Sequence, residues 1–282
     1  MKDLAYYNGK IDAIDNMTVP MNDRVSFFGD GVYDVTYARN HIPYTLDEHL
    51  ERFYSSAEQL RIDVPLPKNE LAALLRELIL KVDADEQWVY WQVTRGTAPR
   101  NFPFPDTKAN LWVVIRECPV TDTYRTLRTI TVEDTRYLHC NIKTLNLIPN
   151  VMAEQTAKER GLDTAIFCRG ERVTECAHAN IHILKDGKLI TPPADNLILP
   201  GIARQNILKF TKILGIETVI RPFTKDEMMN ADEVILSSAG SFCVRIGEID
   251  GVKVGGKDSA TLRRLQDALV NDFITATDKN AR

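Results

Sequence analysis

Two segments with helical apolar spacing stand side by side early in the chain, and two strand-like runs follow them with no helix between. Residues 46–62, LDEHLERFYSSAEQLRI, place Leu46, Leu50, Phe53, Ala57 and Leu60 on one helical face. Residues 69–82 repeat the pattern with Leu71, Leu74, Leu75, Leu78, Ile79 and Val82. The runs WVYWQVTRG at 88–96 and LWVVIREC at 111–118 are aromatic and β-branched, and the Pro-rich loop TAPRNFPFPDTKAN separates them. Strand and helix therefore do not alternate one for one. That order argues against a doubly wound parallel sheet and predicts an α+β chain with mixed sheets flanked by helices.

Past residue 118 the pattern changes. Residues 119–123 read as a linker, because a new strand, LRTITVED, begins just after them. The expected division is a smaller N-terminal α/β domain over 1–118 and a larger C-terminal domain over 124–282. In the second, a helix over about 149–160 closes at Gly161, a residue suited to the position after a helix end. Residues 164–191 read as hairpins turning at RGE and KDGK. A helix over about 201–214 ends at Gly215. The strands ETVIRPF, EVILSSA and FCVRIGEIDG follow, and a last helix covers about 258–275.

Charge narrows the function classes. Lys and Arg number 35 against 39 Asp and Glu, a net charge of -4 without a basic block, so no electrostatic footprint for nucleic acid is present. The longest nearly apolar stretch, LAALLRELIL at 71–80, contains Arg76 and Glu77 and is too short to span a bilayer. MKDLAYYNGKID at the start has no apolar signal core. Cys118, Cys140, Cys168, Cys176 and Cys243 are scattered, odd in number and without a C-x-x-C, as expected of reduced thiols. The expectation is a cytoplasmic protein that works on small molecules, away from nucleic acid and membrane.

Several residues could carry chemistry. FFGDGVYDV at 27–35 has Gly29 and Gly31 but neither a third glycine nor a preceding strand, so it fails as a dinucleotide fingerprint and reads as a tight turn. His178 and His182 would lie on one strand face about 13 Å apart, too far to share one ion; no metal site is expected. Lys143 lies in the charge-poor stretch HCNIKTLNLIPN. It is either a snorkelling side chain or a desolvated amine able to form a Schiff base. Glu175, in RVTEC, is either a solvent-facing strand residue or a buried carboxylate in need of a cationic partner. LILPGIARQNIL at 197–208 runs from a strand through Pro-Gly into a helix, which would aim the N–H groups of Ile202 and Ala203 at an anion.

Taken in order, Arg52, Lys143, Glu175, LPGIAR and SSAGS resemble the fold-type IV (class IV) aminotransferases, enzymes that use pyridoxal 5′-phosphate. Within them the likeness is to the D-amino acid aminotransferases. RVSFFGDGVYDV, EHLERFYSSAEQLRI, YWQVTRGTAPR, VEDTRYLHCNIKTLNLIPNVMA, VTECAHANIHIL, LPGIARQNIL and EVILSSAGSF carry it over residues 24–242. The resemblance implies a two-domain homodimer whose C-terminal domain binds the cofactor. It implies transfer of an amino group from D-amino acids such as D-alanine and D-glutamate to 2-oxo acids, through a lysine aldimine and ping-pong half-reactions. Lys143 matches the lysine and Glu175 the carboxylate that keeps the pyridine nitrogen protonated. Arg52, the backbone at Ile202 and Ala203, and the turn at Ser238 and Ala239 match the phosphate site. Tyr33 and Arg100 match groups that hold the substrate carboxylate, the arginine reaching into the neighbouring subunit. Arg136 matches an arginine near the active site and counts with the substrate-binding groups. An aminodeoxychorismate lyase or a branched-chain L-amino acid aminotransferase of the same fold is the alternative, and RGTAPR and IKTLNLIPNVMA favour the D-specific group.

The chain departs from that pattern at four positions. Ala203 and Ala239 stand where threonine hydroxyls are usual, Phe102 where D-specific members carry a histidine, and His178 within a run that is serine in relatives. The resemblance therefore implies a phosphate site that leans on backbone N–H groups and Arg52, and a substrate site in which His178 takes part.

Overall fold

The computed structural model describes residues 1–279. The chain divides into two compact units that are not colinear blocks. The first takes 1–120, 142–146 and Phe273 onward; the second takes 121–141 and 147–272. The short piece 142–146 joins the first unit because it adds to the edge of a strand. Val32 bridges Thr144, the Tyr33 N–H donates to the Lys143 carbonyl at 3.0 Å, and Leu145 N–H donates to Gly31 O at 3.1 Å.

The first unit is built on a six-stranded antiparallel sheet. Its strands are β1 (Asp3–Tyr7), β2 (Lys10–Asp12), β3 (Gly31–Arg39), β4 (Ile42–Pro43), β5 (Glu86–Thr94) and β6 (Asn110–Glu117), in the order β2-β1-β6-β5-β3-β4. β3 and β5 pair along their whole length, Gly31 opposite Thr94 and Arg39 opposite Glu86. A short helix, α1 (Arg24–Phe28), leads into β3 and has no counterpart in the sequence reading. It starts at Asp23, whose side chain accepts from Val25 N–H, and stops at Gly29 with φ +61°. The stretch FFGDGVYDV thus holds the predicted turn, and also the entry to the strand.

Helices α2 (Leu46–Gln59) and α3 (Lys68–Ile79) cover the sheet with the stripes that the sequence spacing predicts. Leu50, Phe53, Leu71, Leu75, Leu78, Trp91 and Val113 close the core. Phe53 meets Trp91 edge to face at 6.1 Å, and removing such a buried ring costs about 3–5 kcal/mol.

The second unit has a mixed nine-stranded sheet. β7 (Thr126–Glu133) lies parallel to both β8 (Thr164–Arg169) and β14 (Val244–Ile249), and α4 (Ile148–Glu159) packs against β7 and β8. The predicted hairpins are β8 with β9 (Arg172–Cys176), and β10 (Asn180–Lys185) with β11 (Lys188–Thr191). Strand β12 (Glu217–Ile220) pairs β11, while β13 (Glu233–Ser237) lies between β10 and β14, and β15 (Val252–Lys253) pairs β14. Helix α5 (Ile202–Ile213) follows the Pro-Gly turn. A five-residue helix, α6 (Lys225–Met229), escapes the sequence reading. It is set by the reciprocal bonds of Thr224 and Glu227, a capping box. Helix α7 (Ser259–Ala276) ends the described chain. Among the described residues no helix is long and apolar enough to cross a membrane.

Candidate active site

In the first unit, β-alternation puts Tyr33 and Asp34 on opposite faces of β3. Tyr33 is half-buried, and the Lys143 ammonium nitrogen lies 4.3 Å from the centre of its ring. Tyr90, on β5, stacks on Tyr33 with ring centres 5.5 Å apart, and its hydroxyl donates to Gln92 Oε1 at 2.6 Å. Lys143 itself is half-buried, and its backbone N–H donates to Ser56 Oγ.

On the other face, Asp34 is fully buried and binds Arg52 through two hydrogen bonds, from Nε at 2.9 Å and Nη2 at 2.7 Å. His49 Nδ1 lies 2.8 Å from Asp34 Oδ1. Burial alone would raise the Asp34 carboxyl, but Arg52 and His49 outweigh it and hold the group below the usual carboxylate range. Burial pushes the His49 ring the other way, toward neutrality. The sequence reading missed Asp34 and His49. For His49 a signal was there, since it precedes Arg52 by one helical turn; Asp34 shares a strand face with apolar Val32 only once the strand is known to begin at Gly31.

Arg100 is exposed on the loop between β5 and β6, beside the rings of Phe28 and Phe102, with its guanidinium carbon 5.1 and 5.5 Å from their centres.

In the second unit, β9 presents Glu175 inward. It is buried, and its Oε1 accepts from Arg136 Nη1. Its Oε2 accepts from Asn180 Nδ2 at 3.2 Å and Leu199 N–H at 3.1 Å. Burial drives its carboxyl up to about 7, and Arg136 and the Leu199 N–H pull against that rise. Arg136 is also bound to Asp134 by Nε and Nη2, each at 2.9 Å, and reaches Thr174 and Leu197 O. The structure therefore turns Arg136 onto protein carboxylates, not toward a substrate as the resemblance implied. Two acids close in space explain this, one of them two residues away and the other on a different strand.

A Cβ at Gly201 would come 2.0 Å from Asn180 Oδ1, so a larger residue would displace the amide that donates to Glu175. That close approach lets the 199–201 turn close on Asn180 and Glu175. It also starts α5 without a side-chain cap. Ile202 and Ala203 are both buried, and their N–H groups precede the first intrahelical donor, the Gln205 N–H, which donates to Gly201 O. Such groups suit an anion. Ser238 and Ala239 begin a tight turn, in which Ser238 O accepts from Phe242 N–H at 2.9 Å.

His178 does not point into this buried cluster. Its side chain is 58% exposed and pairs with Glu154 at 3.2 Å. Among the described residues no group of three or more His, Cys, Asp or Glu could hold a metal ion.

A buried carboxylate, a half-buried amine on an aromatic face and an uncapped helix start are the donor types of a phosphate-bearing pyridine cofactor enzyme. The model of the amino-transferase class IV family matches residues 31–249, and the chain belongs to that family. More particularly, it is similar to the D-alanine aminotransferase of Listeria monocytogenes serotype 4b (strain F2365), 39% identical over 269 residues and 93% of either chain. The D-alanine aminotransferase of Bacillus licheniformis is 35% identical over 97% of this chain and 98% of its own. In fold the chain matches the branched-chain amino acid aminotransferase of Escherichia coli, at TM-score 0.89 and 22% identity over 99% of this chain and 97% of that one. The branched-chain aminotransferase of Thermoproteus uzoniensis with norvaline matches at TM-score 0.88 and 21% identity, over 99% and 96%.

Proposed function

We infer that this chain is a pyridoxal 5′-phosphate-dependent transaminase that takes the amino group from D-amino acids of the D-alanine and D-glutamate type and gives it to 2-oxo acids such as 2-oxoglutarate and pyruvate. The observation that carries the reading is the 35–39% identity to D-alanine aminotransferases over nearly the whole chain.

The residues fit that cofactor. Arg52, the helix-start N–H groups of Ile202 and Ala203 and the Ser238–Ala239 turn would hold its phosphate. Because Ala203 and Ala239 lack hydroxyls, charge and backbone donors carry that contact. Glu175 would hold a proton at the ring nitrogen. Its buried, hydrogen-bonded carboxylate is of the type that pairs with a cation out of water. When bound, the cofactor supplies a carbonyl that captures the amino group and a protonated ring that draws electrons from the substrate carbon. Lys143 Nζ would anchor the cofactor and then move the proton from the substrate Cα, with the Tyr33 ring orienting the amine. Arg100 and Tyr33 would bind the substrate carboxylate, which sets the face of Cα turned to Lys143. Arg136 would act through Glu175.

The chain would work in the cytoplasm as a homodimer, each Arg100 serving the neighbouring subunit. Its five cysteines are free thiols, in keeping with a reducing compartment. Half-reaction spectra with paired D- and L-amino acids test the reading. D-alanine or D-glutamate should react well ahead of the L-forms. Preference for L-leucine, or release of pyruvate from aminodeoxychorismate without transamination, would overturn it.

A further inference from the structure

The loop that carries Arg100 is tied down by a second arginine. Arg24 is 4% exposed at the start of α1. Its Nε donates to Asp30 Oδ2 at 2.7 Å. Its two outer nitrogens turn to three successive carbonyls of the loop: Asn101 O at 2.6 Å, Phe102 O at 3.4 Å and Pro103 O at 3.5 Å. Asp30 does not need Arg24 for neutralisation. Arg95 Nε already donates to both its oxygens, at 3.1 and 2.9 Å. The carbonyl contacts of Arg24 are thus additional to ion pairing, and their effect falls on the loop.

The same guanidinium also sets the ring beneath Arg100. Its carbon lies 4.8 Å from the centre of Phe28. Phe28 in turn meets Phe102 at 5.4 Å, and these are the two rings beside the Arg100 guanidinium. The base of the loop is equally constrained. Gly96, at φ +116°, lies where a Cβ would come 2.2 Å from Lys108 O, and Asp23 Oδ2 accepts from both Thr94 and Asn110.

We propose that Arg24 is a positioning residue for Arg100, fixing the 101–103 backbone and the Phe28 ring so that an exposed guanidinium stands ready for a carboxylate. The inference rests on the reading of Arg100 as the carboxylate-binding group and goes beyond it by naming what holds that group. An exposed arginine has many rotamers, and a ligand that freezes them binds less well; a loop fixed in advance removes that cost. A guanidinium stacked on ring faces keeps its N–H edge in plane for two parallel hydrogen bonds. Phe102, standing where a histidine is usual, contributes a ring face where that histidine would offer a polar ring nitrogen.

The test is a double-mutant cycle in the holoenzyme, with Arg24→Met, Arg100→Ala and the pair, reading KM and kcat for D-alanine together with the absorbance of bound cofactor. Arg24→Met should raise KM roughly ten-fold or more with kcat within about three-fold and cofactor absorbance retained, and should add less than about two-fold once Arg100 is alanine. A factor that multiplies unchanged in the Arg100→Ala background, or a fall in kcat and cofactor content at constant KM, overturns the proposal. If Arg24→Met does not fold, Phe28→Leu replaces it under the same criteria, because it removes the ring and leaves every ion pair in place. An Arg100→Ala enzyme with unchanged KM would defeat the reading of Arg100 itself, and the inference with it. If Arg100→Ala raises KM and the cycle is additive, the positioning role alone fails.

Discussion

The Lys143 ammonium nitrogen sits 4.3 Å from the centre of the Tyr33 ring, while the Tyr33 backbone N–H donates to the Lys143 carbonyl at 3.0 Å. Backbone and side chain of the two residues are thus coupled, although they are far apart in sequence. A ring face orients an amine without engaging it in a directional hydrogen bond. The nitrogen keeps its position and its capacity to react, which is what an amine that must both anchor a cofactor and carry a proton requires.

Replacing that amine should end the chemistry. Lys143→Ala leaves the Tyr33–Tyr90 stack in place but removes the group for covalent attachment and proton transfer. Transamination should fall by roughly 10²–10⁴-fold or more, and the visible absorbance of the attached cofactor should vanish. Turnover near the wild-type rate would rule the assignment out.

Asp34 gives a pH signature. Its carboxyl is held below the usual range by Arg52 and His49 against the opposing effect of burial. A lowered folded value means stability that is present above the unfolded value and is lost as the pH falls. Asp34→Asn should therefore cost about 3–5 kcal/mol near neutrality, as for a broken buried pair. The gap between variant and wild type should close as the pH drops below about 4. Urea midpoints at a series of pH values measure this; a gap that widens in acid would contradict it.

Glu175 should behave in the opposite sense in the cofactor-free protein. Its folded value is raised from 4.5 to about 7, chiefly by burial. The neutral form is then favoured in the fold, so its stability is complete below about 4.5 and declines as the pH rises through about 7. Glu175→Gln does not titrate. The wild type should lose stability relative to this variant, by an amount on the order of 3 kcal/mol, between about pH 4.5 and 7 and level off above that. Parallel stability curves would show that the carboxyl is not raised. In the loaded enzyme the Gln variant should retain cofactor yet react much more slowly, since an amide cannot stabilise a protonated ring nitrogen.

How much of this is legible in the sequence depends on the kind of signal. The stripes of α2 and α3, the hairpins and the start of α5 are visible because local spacing and turn residues determine them. Lys143 and Glu175 stand out as charges within apolar runs. Asp34 is hidden, because FFGDGVYDV reads as a turn and its strand begins only at Gly31. The membership of 142–146 in the first unit depends on a bridge between Val32 and Thr144, which no local pattern reports. Arg136 escapes for a related reason. Its bond to Glu175 joins residues 39 apart, so its motif position cannot reveal that its donors are already engaged by protein carboxylates. The resemblance turns His178 toward cofactor or substrate, whereas Glu154, on α4, takes its ring at the surface.

Mixing subunits separates a cross-dimer role for Arg100 from one within its own chain. In this chain Arg100 stands exposed on its loop, while Lys143 is half-buried against β3. If both residues served the same chain's site, a hybrid of Lys143→Ala and Arg100→Ala subunits would contain two defective sites, and mixing would restore nothing. If each Arg100 serves the neighbouring site, one site of every hybrid combines an intact Lys143 with an intact Arg100. Random exchange makes half the dimers hybrid, and half of their sites whole. About a quarter of the wild-type activity should therefore return in a two-fold symmetric dimer. The two variants, exchanged by mild denaturation and renaturation with exchange verified by mass-tagged subunits and assayed at D-alanine well below the raised KM of Arg100→Ala, should reach that level. Recovery that stays at the sum of the two parents would remove the cross-subunit role while leaving the roles of Lys143 and Glu175 untouched.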